Sequence, residues 1–232
     1  MTPIASAPKL NQYPIIHYLD STDIDIITKV RNYLNQFGFF YVKDTINARE
    51  NIDEQLNNLQ DSVDVYDGED AYTGEDSMFH GTYSRIEPTV SKKVKDYWKL
   101  IDNLLAVISC AVGHPKEFLQ EVSQQENYGS YIYDREEKYM DSLQVTDEED
   151  ITIPPHMDRS LLTLIISIQG FEGYSKEFDW FSIPDKEYYL MVQAGTLLQD
   201  LTENKLKANI HQVRGFEVSI PQKRSFGESW LQ

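Results

Sequence analysis

Residues 154–168 read PPHMDRSLLTLIISI, and this stretch decides the reading of the chain. Pro154 and Pro155 stiffen the approach to His156, and Asp158 follows two residues later. On an extended backbone alternate side chains share a face, so the imidazole and the carboxylate point the same way. The apolar run 161–168 comes almost at once and predicts a buried strand. Leu162, Leu164, Ile166 and Ile168 share the parity of His156 and Asp158. A strand running straight through this segment would turn the polar pair and the apolar set towards one interior. A carboxylate facing such an interior is costly unless it is paired or holds a metal.

A third donor lies further on. Residues 194–214 read AGTLLQDLTENKLKANIHQVR, which places His211 55 residues after His156, room for two or three intervening strands. Two imidazoles and one carboxylate on one side of a metal leave its other positions open, the arrangement suited to non-haem Fe(II) and oxygen chemistry. His156-x-Asp158 alone would be a common coincidence, equally readable as a loop histidine beside a capping aspartate. A zinc site for hydrolysis could use the same donors, but no motif places a general-base glutamate.

Composition narrows the function classes. The chain has 232 residues, enough for one domain with a sizeable core. Hydrophobic residues make up 41% and aromatics 12%, too much for a disordered chain. The formal net charge of −17 repels phosphate backbones and anionic lipid surfaces, so neither nucleic acid nor membrane is expected as a partner. Cys110 is the only cysteine, which rules out an internal disulfide, and its apolar surroundings suit a structural thiol. The first residues lack a basic-then-apolar signal pattern, and no run reaches the ~18 apolar residues of a membrane span. A cytoplasmic location is expected. Nothing in the sequence reports the oligomeric state.

The elements sort into two parts. Residues 1–13 look like a loose leader and 14–19 like a short strand. Ser21 and Thr22 can cap a helix over 23–36, with Ile24, Ile27, Val30 and Leu34 on one stripe and Gly38 at its exit. A strand over 39–42 and a helix over 48–63 follow, then a polar loop over 64–77 and an irregular segment over 78–85. A long helix is expected over 91–112 and a short one through Phe118 and Val122. From residue 128 the texture turns to strands, over 130–133, 161–168, 188–193, 196–201, 207–214, 218–220 and 225–231. Residues 134–150 hold eight acidic groups in seventeen and read as a solvated loop. Helices first and strands later predict an α+β fold, residues 1–127 being the mostly helical part and 128–232 a strand-rich core closing into a sandwich or barrel.

Several segments, in order, resemble the isopenicillin N synthase-like branch of the Fe(II)/2-oxoglutarate-dependent dioxygenases. YPIIHYLD (13–20) is similar to the family's opening strand, and NQFGFFYVKDTI (35–46) to its first helix exit. SYIYD (130–134) falls at a strand ending in tyrosine, HMDRSLLTLIISIQGFEG (156–173) resembles the metal strand, and 194–214 resembles the segment bearing the distal histidine. The resemblance implies a double-stranded β-helix (jelly-roll) core with N-terminal helices packed on it. It also implies Fe(II) held by His156, Asp158 and His211, with 2-oxoglutarate and molecular oxygen as cosubstrates. Arg224 falls where the family has the arginine of its R-x-S motif, a planar fork that meets both oxygens of a carboxylate. Tyr133 matches the tyrosine that bonds the same carboxylate.

The chain departs from that pattern in places. Arg224-Ser225-Phe226 puts phenylalanine at the motif's serine, so Ser225 would have to serve one residue early. Thr196 stands where the family has aspartate. The implied activity is oxidation of an unactivated C–H of a small-molecule substrate, by default hydroxylation, forming succinate and CO2. An iron oxidase without 2-oxoglutarate and a jelly-roll interaction module without turnover remain as alternatives. Phe79, His80, Tyr83, Arg85, Leu162, Phe226 and Trp230 are the expected pocket walls.

Overall fold

The first helix, α1 (Ile24–Phe37), shows how the local sequence sets the frame. Its N-cap is Asp23, whose carboxylate accepts from the amides of Asp25 (2.8 Å) and Ile26 (3.3 Å). Ser21 and Thr22, expected to cap it, lie too early in the chain; Thr22 instead bonds Asp20. The buried face is Ile26, Ile27, Val30 and Leu34, while Ile24 is 71% exposed and off the stripe. Gly38 ends the helix at φ 73°, its N–H donating to the Leu34 carbonyl.

The Tyr18 hydroxyl and then the Ile26 amide hold the Asp23 carboxyl below its ordinary range. A depressed carboxyl contributes stability above its unfolded-state pKa and loses it as pH falls through the folded value. Asp23→Ala is therefore expected to lower the thermal midpoint near neutral pH, with the gap to wild type closing below about pH 4. Melting curves across pH check this.

The structure, a computed structural model, describes residues 13–49, 66–69, 76–83, 92–123, 128–134, 151–167, 170–214 and 224–230. The leader, nearly all of the 48–63 helix and the 134–150 loop, and the 218–220 strand lie outside these residues. After α1 come β2 (Phe39–Lys43), β3 (Tyr66–Glu69), β4 (Asp76–Tyr83), α2 (Lys92–Ala111) and α3 (Phe118–Ser123), with β1 (Ile15–Ile16) preceding the helix. Then follow β5 (Tyr128–Asp134), β6 (Ile151–His156), β7 (Leu162–Ser167), β8 (Phe171–Ser175), β9 (Asp179–Ser182) and β10 (Tyr189–Ala194). The described part closes with α4 (Thr196–Leu201), β11 (Ile210–Arg214) and β12 (Arg224–Trp230).

Among the described residues eight strands form one sheet in the order β1-β2-β10-β7-β12-β5-β4-β3, and β6-β11-β8-β9 form a second. All pairings are antiparallel except β1 with β2. The chain crosses repeatedly between the sheets, as when it passes from β6 to β7, so the core is the expected jelly roll in an α+β fold. Strands β1 to β4 precede residue 128 yet extend the larger sheet at both ends.

Strands β2, β7 and β10 of the larger sheet are buried on both faces. Phe40 and Val42 of β2, Leu162, Leu164 and Ile166 of β7, and Leu190, Val192 and Ala194 of β10 pack in one cluster with α1 and α2. The alternate residues Phe39, Tyr41, Ile165 and Met191 face inward, against Phe171, Phe181, Ile183 and Val213 of the smaller-sheet side. Tyr13 and Tyr41 direct their hydroxyls to the Ser182 (3.1 Å) and Pro184 (2.6 Å) carbonyls, and burial pushes the Tyr41 phenol well above its ordinary range. Their polar ends are satisfied, so the inner layer is held as an apolar wall.

Three expectations fail here for identifiable reasons. Leu162, Leu164 and Ile166 face the helices rather than the jelly-roll interior, because residues 157–161 leave extended geometry between β6 and β7 and break the parity with His156. The strand expected over 196–201 is the helix α4, since six residues are too few for their period to distinguish the two. The polar stretch 64–77 contains β3, the edge strand of the sheet, where polar residues are tolerated, and the start of β4 beside it.

Candidate metal centre

His156 ends β6 and His211 lies second in β11, and the two are direct cross-strand partners. That register alone brings residues far apart in sequence onto one spot, their ring centroids 4.1 Å apart. Asp158 follows two residues beyond the strand end, where the chain turns towards the larger sheet. Its carbonyl accepts from the Thr196 amide at 2.8 Å, so the first turn of α4 pins the loop that carries the carboxylate. The bond uses the Thr196 backbone and is indifferent to the side chain at that position.

The Asp158 Oδ1 oxygen lies 3.6 Å from Nε2 of His156 and 3.6 Å from Nε2 of His211. These separations are too long for hydrogen bonds. They suit donors sharing one ion: nitrogen and oxygen ligands about 2.1 Å from a metal stand roughly 3 to 3.5 Å apart. One ligand atom from each of the three residues lies within 4.8 Å of the others. The imidazole of His211 is fully buried, while His156 and Asp158 keep 13% and 11% side-chain exposure. The centre is thus closed on the β11 side and reachable on the other, so the donor set and its surroundings fit a metal with open positions.

The wall behind His211 is packed. Phe171 stacks on its ring at 4.8 Å and 20°, and Val213 and Ile165 belong to the same inner cluster. The Nδ1 atom lies 2.6 Å from Gln193 Nε2 and 3.2 Å from the Asn209 carbonyl oxygen. Gln193 and Asn209 were not singled out by sequence reasoning. The available signal was a fully buried glutamine near the end of an otherwise apolar strand.

Register brings the remaining expected residues to adjacent strands. Tyr133 of β5 pairs with Ser225 of β12, and Arg224 pairs with Asp134 on one side and Ser167 on the other. Against β7 the register shifts between Arg224 and Ser225, whose partners are Ser167 and Ile165. The irregularity adds one residue to β7 at this point, whereas against β5 the register is continuous, Arg224 and Ser225 pairing in turn with Asp134 and Tyr133. Leu162, expected to wall the pocket, is buried on the helix side instead.

Residues 125–221 match the 2OG-Fe(II) oxygenase superfamily, a segment spanning both histidines and the carboxylate. The matched segment, less than half of the chain, is similar to that superfamily, whose name carries both the iron and 2-oxoglutarate, and the isopenicillin N synthase-like branch is compatible with it. A stretch of 87 residues is 31% identical to validamycin A dioxygenase of Streptomyces hygroscopicus subsp. limoneus, covering 36% of this chain and 24% of that protein. The fold is similar to that of the dioxygenase for auxin oxidation 1 from Arabidopsis thaliana in its 2-oxoglutarate complex. The TM-score there is 0.65 at 16% identity, over 94% of this chain and 92% of that one. It is also similar to a Caulobacter crescentus protein assigned to the 2OG-Fe(II) oxygenase family, with TM-score 0.64 at 15% identity over 94% and 87% of the two chains. Among the described residues no helix is long and apolar enough to cross a membrane.

Proposed function

We propose that this protein is an Fe(II)- and 2-oxoglutarate-dependent oxygenase that oxidises an unactivated C–H of a small molecule, by default to the alcohol, with succinate and CO2 as co-products. The observation that carries this reading is the convergence of His156, Asp158 and His211 on one point inside a segment similar to that superfamily. When bound, Fe(II) with 2-oxoglutarate and molecular oxygen supplies the oxidising power; the chain supplies position and environment.

His156 and His211 offer neutral nitrogen donors, and the Asp158 carboxylate offsets part of the ion's charge from the same side. Arg224 is assigned to the distal carboxylate of 2-oxoglutarate, with Tyr133 and Ser225 adding hydroxyl donors; their registers on β5 and β12 support the grouping. The apolar wall of Ile165, Phe171 and Val213 excludes water on one side, which strengthens each polar contact to the cosubstrate. A localisation inside the cell, where 2-oxoglutarate and reduced iron are available, fits this chemistry.

The test is anaerobic addition of Fe(II) and then 2-oxoglutarate, followed by the metal-to-ligand charge-transfer band. Absence of the band in intact, iron-loaded protein would reject the proposal. Arg224→Ala is expected to weaken 2-oxoglutarate binding by about 2–5 kcal/mol, roughly thirtyfold or more, while Fe(II) binding stays near wild type. A titration of the same band measures the first, and a direct Fe(II) titration the second. One observation favours a second reading: the Arg224-Ser225-Phe226 departure from R-x-S suits an oxidase that uses iron and oxygen alone. Oxygen uptake without succinate would select it.

A further inference from the structure

Gln193, in the last turn of the pleat in β10, has the parity of Met191, so its side chain enters the jelly-roll interior, where it is fully buried. Its amide meets one atom of the metal centre, His211 Nδ1, at 2.6 Å. The same nitrogen lies 3.2 Å from the main-chain oxygen of Asn209, which can only accept. Two partners therefore compete to set one proton. Were Nδ1 to accept from the Gln193 amide nitrogen, the ring proton would sit on Nε2, the atom that faces Asp158 and would have to hold the metal. The Asn209 carbonyl would then meet a second lone pair.

The opposite assignment suits both contacts of Nδ1. With the proton on Nδ1, Asn209 accepts from it, and Nε2 keeps its lone pair for the metal. Gln193 must then present oxygen rather than nitrogen. The two ends of a carboxamide have the same shape, and which is which follows from the hydrogen bonds they make. In the orientation recorded, Gln193 Oε1 is buried with no hydrogen-bond partner among the described residues, so turning the amide gives that oxygen the partner it lacks.

We infer that Gln193 is a positioning residue for His211: its side-chain oxygen accepts from Nδ1–H, fixes the tautomer, and so presents Nε2 to a divalent metal. The inference rests on the reading of His156, Asp158 and His211 as metal ligands. A second contact keeps the pair aligned, since Asn209 Nδ2 donates to the Phe37 carbonyl at 2.7 Å and ties the start of β11 to the end of α1. Outer partners of metal-bound histidines typically tune affinity by about ten- to a hundredfold.

The test uses the full chain with Co(II), Zn(II) and, without oxygen, Fe(II). Gln193→Leu keeps the bulk but removes the acceptor, and is expected to weaken all three metals by about tenfold or more. Gln193→Glu keeps an acceptor at the same place and is expected to hold affinity at or above wild type. A purely structural role would instead weaken both variants in step with their thermal midpoints, and that result would overturn the inference. Long-range proton–nitrogen spectra of the Zn(II)-loaded wild type give an independent readout, expected to show His211 protonated at Nδ1. A metal-bound Nδ1 would overturn the inference, even if Gln193→Leu does not fold. Failure of the wild type to take up any of the three metals would overturn the reading of the site itself, and this inference with it.

Discussion

Asp158→Ala should leave a folded protein that no longer binds Fe(II) measurably and forms no succinate. Asp158 is the common member of both close pairs, 3.6 Å from each imidazole, so its removal opens both edges of the triangle at once. The loss exceeds the roughly hundredfold that outer-sphere changes produce, because a charged donor disappears from the ion's own shell. Stability gives a second measurement. A ligand at a hundredfold excess over its Kd stabilises the folded state by about 2.7 kcal/mol, which for a chain of this size raises the thermal midpoint by roughly 5 to 10 °C. Wild type should show that rise with added Co(II), and Asp158→Ala should show none. The metal-free variant should melt close to metal-free wild type, since the Asp158 backbone contact to Thr196 is kept. An equal metal-induced rise in both proteins would show that the ion binds elsewhere. Asp158→Glu separates charge from reach: it keeps the carboxylate but lengthens its arm, and weak binding there would point to geometry rather than charge.

The centre was legible in the sequence because its parts are spaced by strand geometry. His156, Asp158 and His211 stand out as two short polar interruptions of apolar runs, and the cross-strand pairing of the histidines is the simplest way to join them. The orientation of the apolar set was not legible. In a strand with polar and apolar faces, parity tells inside from outside; β7 has Leu162, Leu164 and Ile166 on one buried face and Ile165 on the other. Parity then loses its meaning, and the turn after Asp158 could not be seen from composition. Rare polar residues are the better guide in such strands. Thr163 and Gln193 are fully or nearly fully buried, and Gln193 leads to the metal centre. The helix α4 escaped for a related reason: TLLQDL is too short for its period to be read, and its first residue is held by a tertiary bond, from the Thr196 amide to the Asp158 carbonyl.

That bond makes Gly195 the second position where one atom should have a large effect. Gly195 lies at φ −95°, which any residue can adopt, so its identity is a matter of space rather than backbone freedom. A Cβ there would overlap the Ser160 carbonyl oxygen and stand 2.7 Å from the carbonyl carbon and 2.8 Å from the Ser160 hydroxyl. The obstacle is main chain, which cannot swing aside as a flexible side chain could. The Gly195 amide also donates to the Leu161 carbonyl at 3.4 Å, so the two segments are bonded on either side of the point of contact. Relief requires the 158–161 loop to move away from the end of β10, carrying the Asp158 carboxylate off the two imidazoles. Gly195→Ala is thus expected to cost about 3 kcal/mol or more in stability, at the upper end for overpacking. It should also weaken Fe(II) binding well beyond what Gly113→Ala does. Gly113→Ala is the comparison: φ 86° makes an alanine there strained, but a Cβ at that position meets nothing within 4 Å and the residue lies beyond the end of α2, away from the loop bearing Asp158. Chemical denaturation and metal titration on the two variants decide the point. If Gly195→Ala loses stability but binds metal as well as Gly113→Ala does, the contact of α4 with the Asp158 loop does not govern the site.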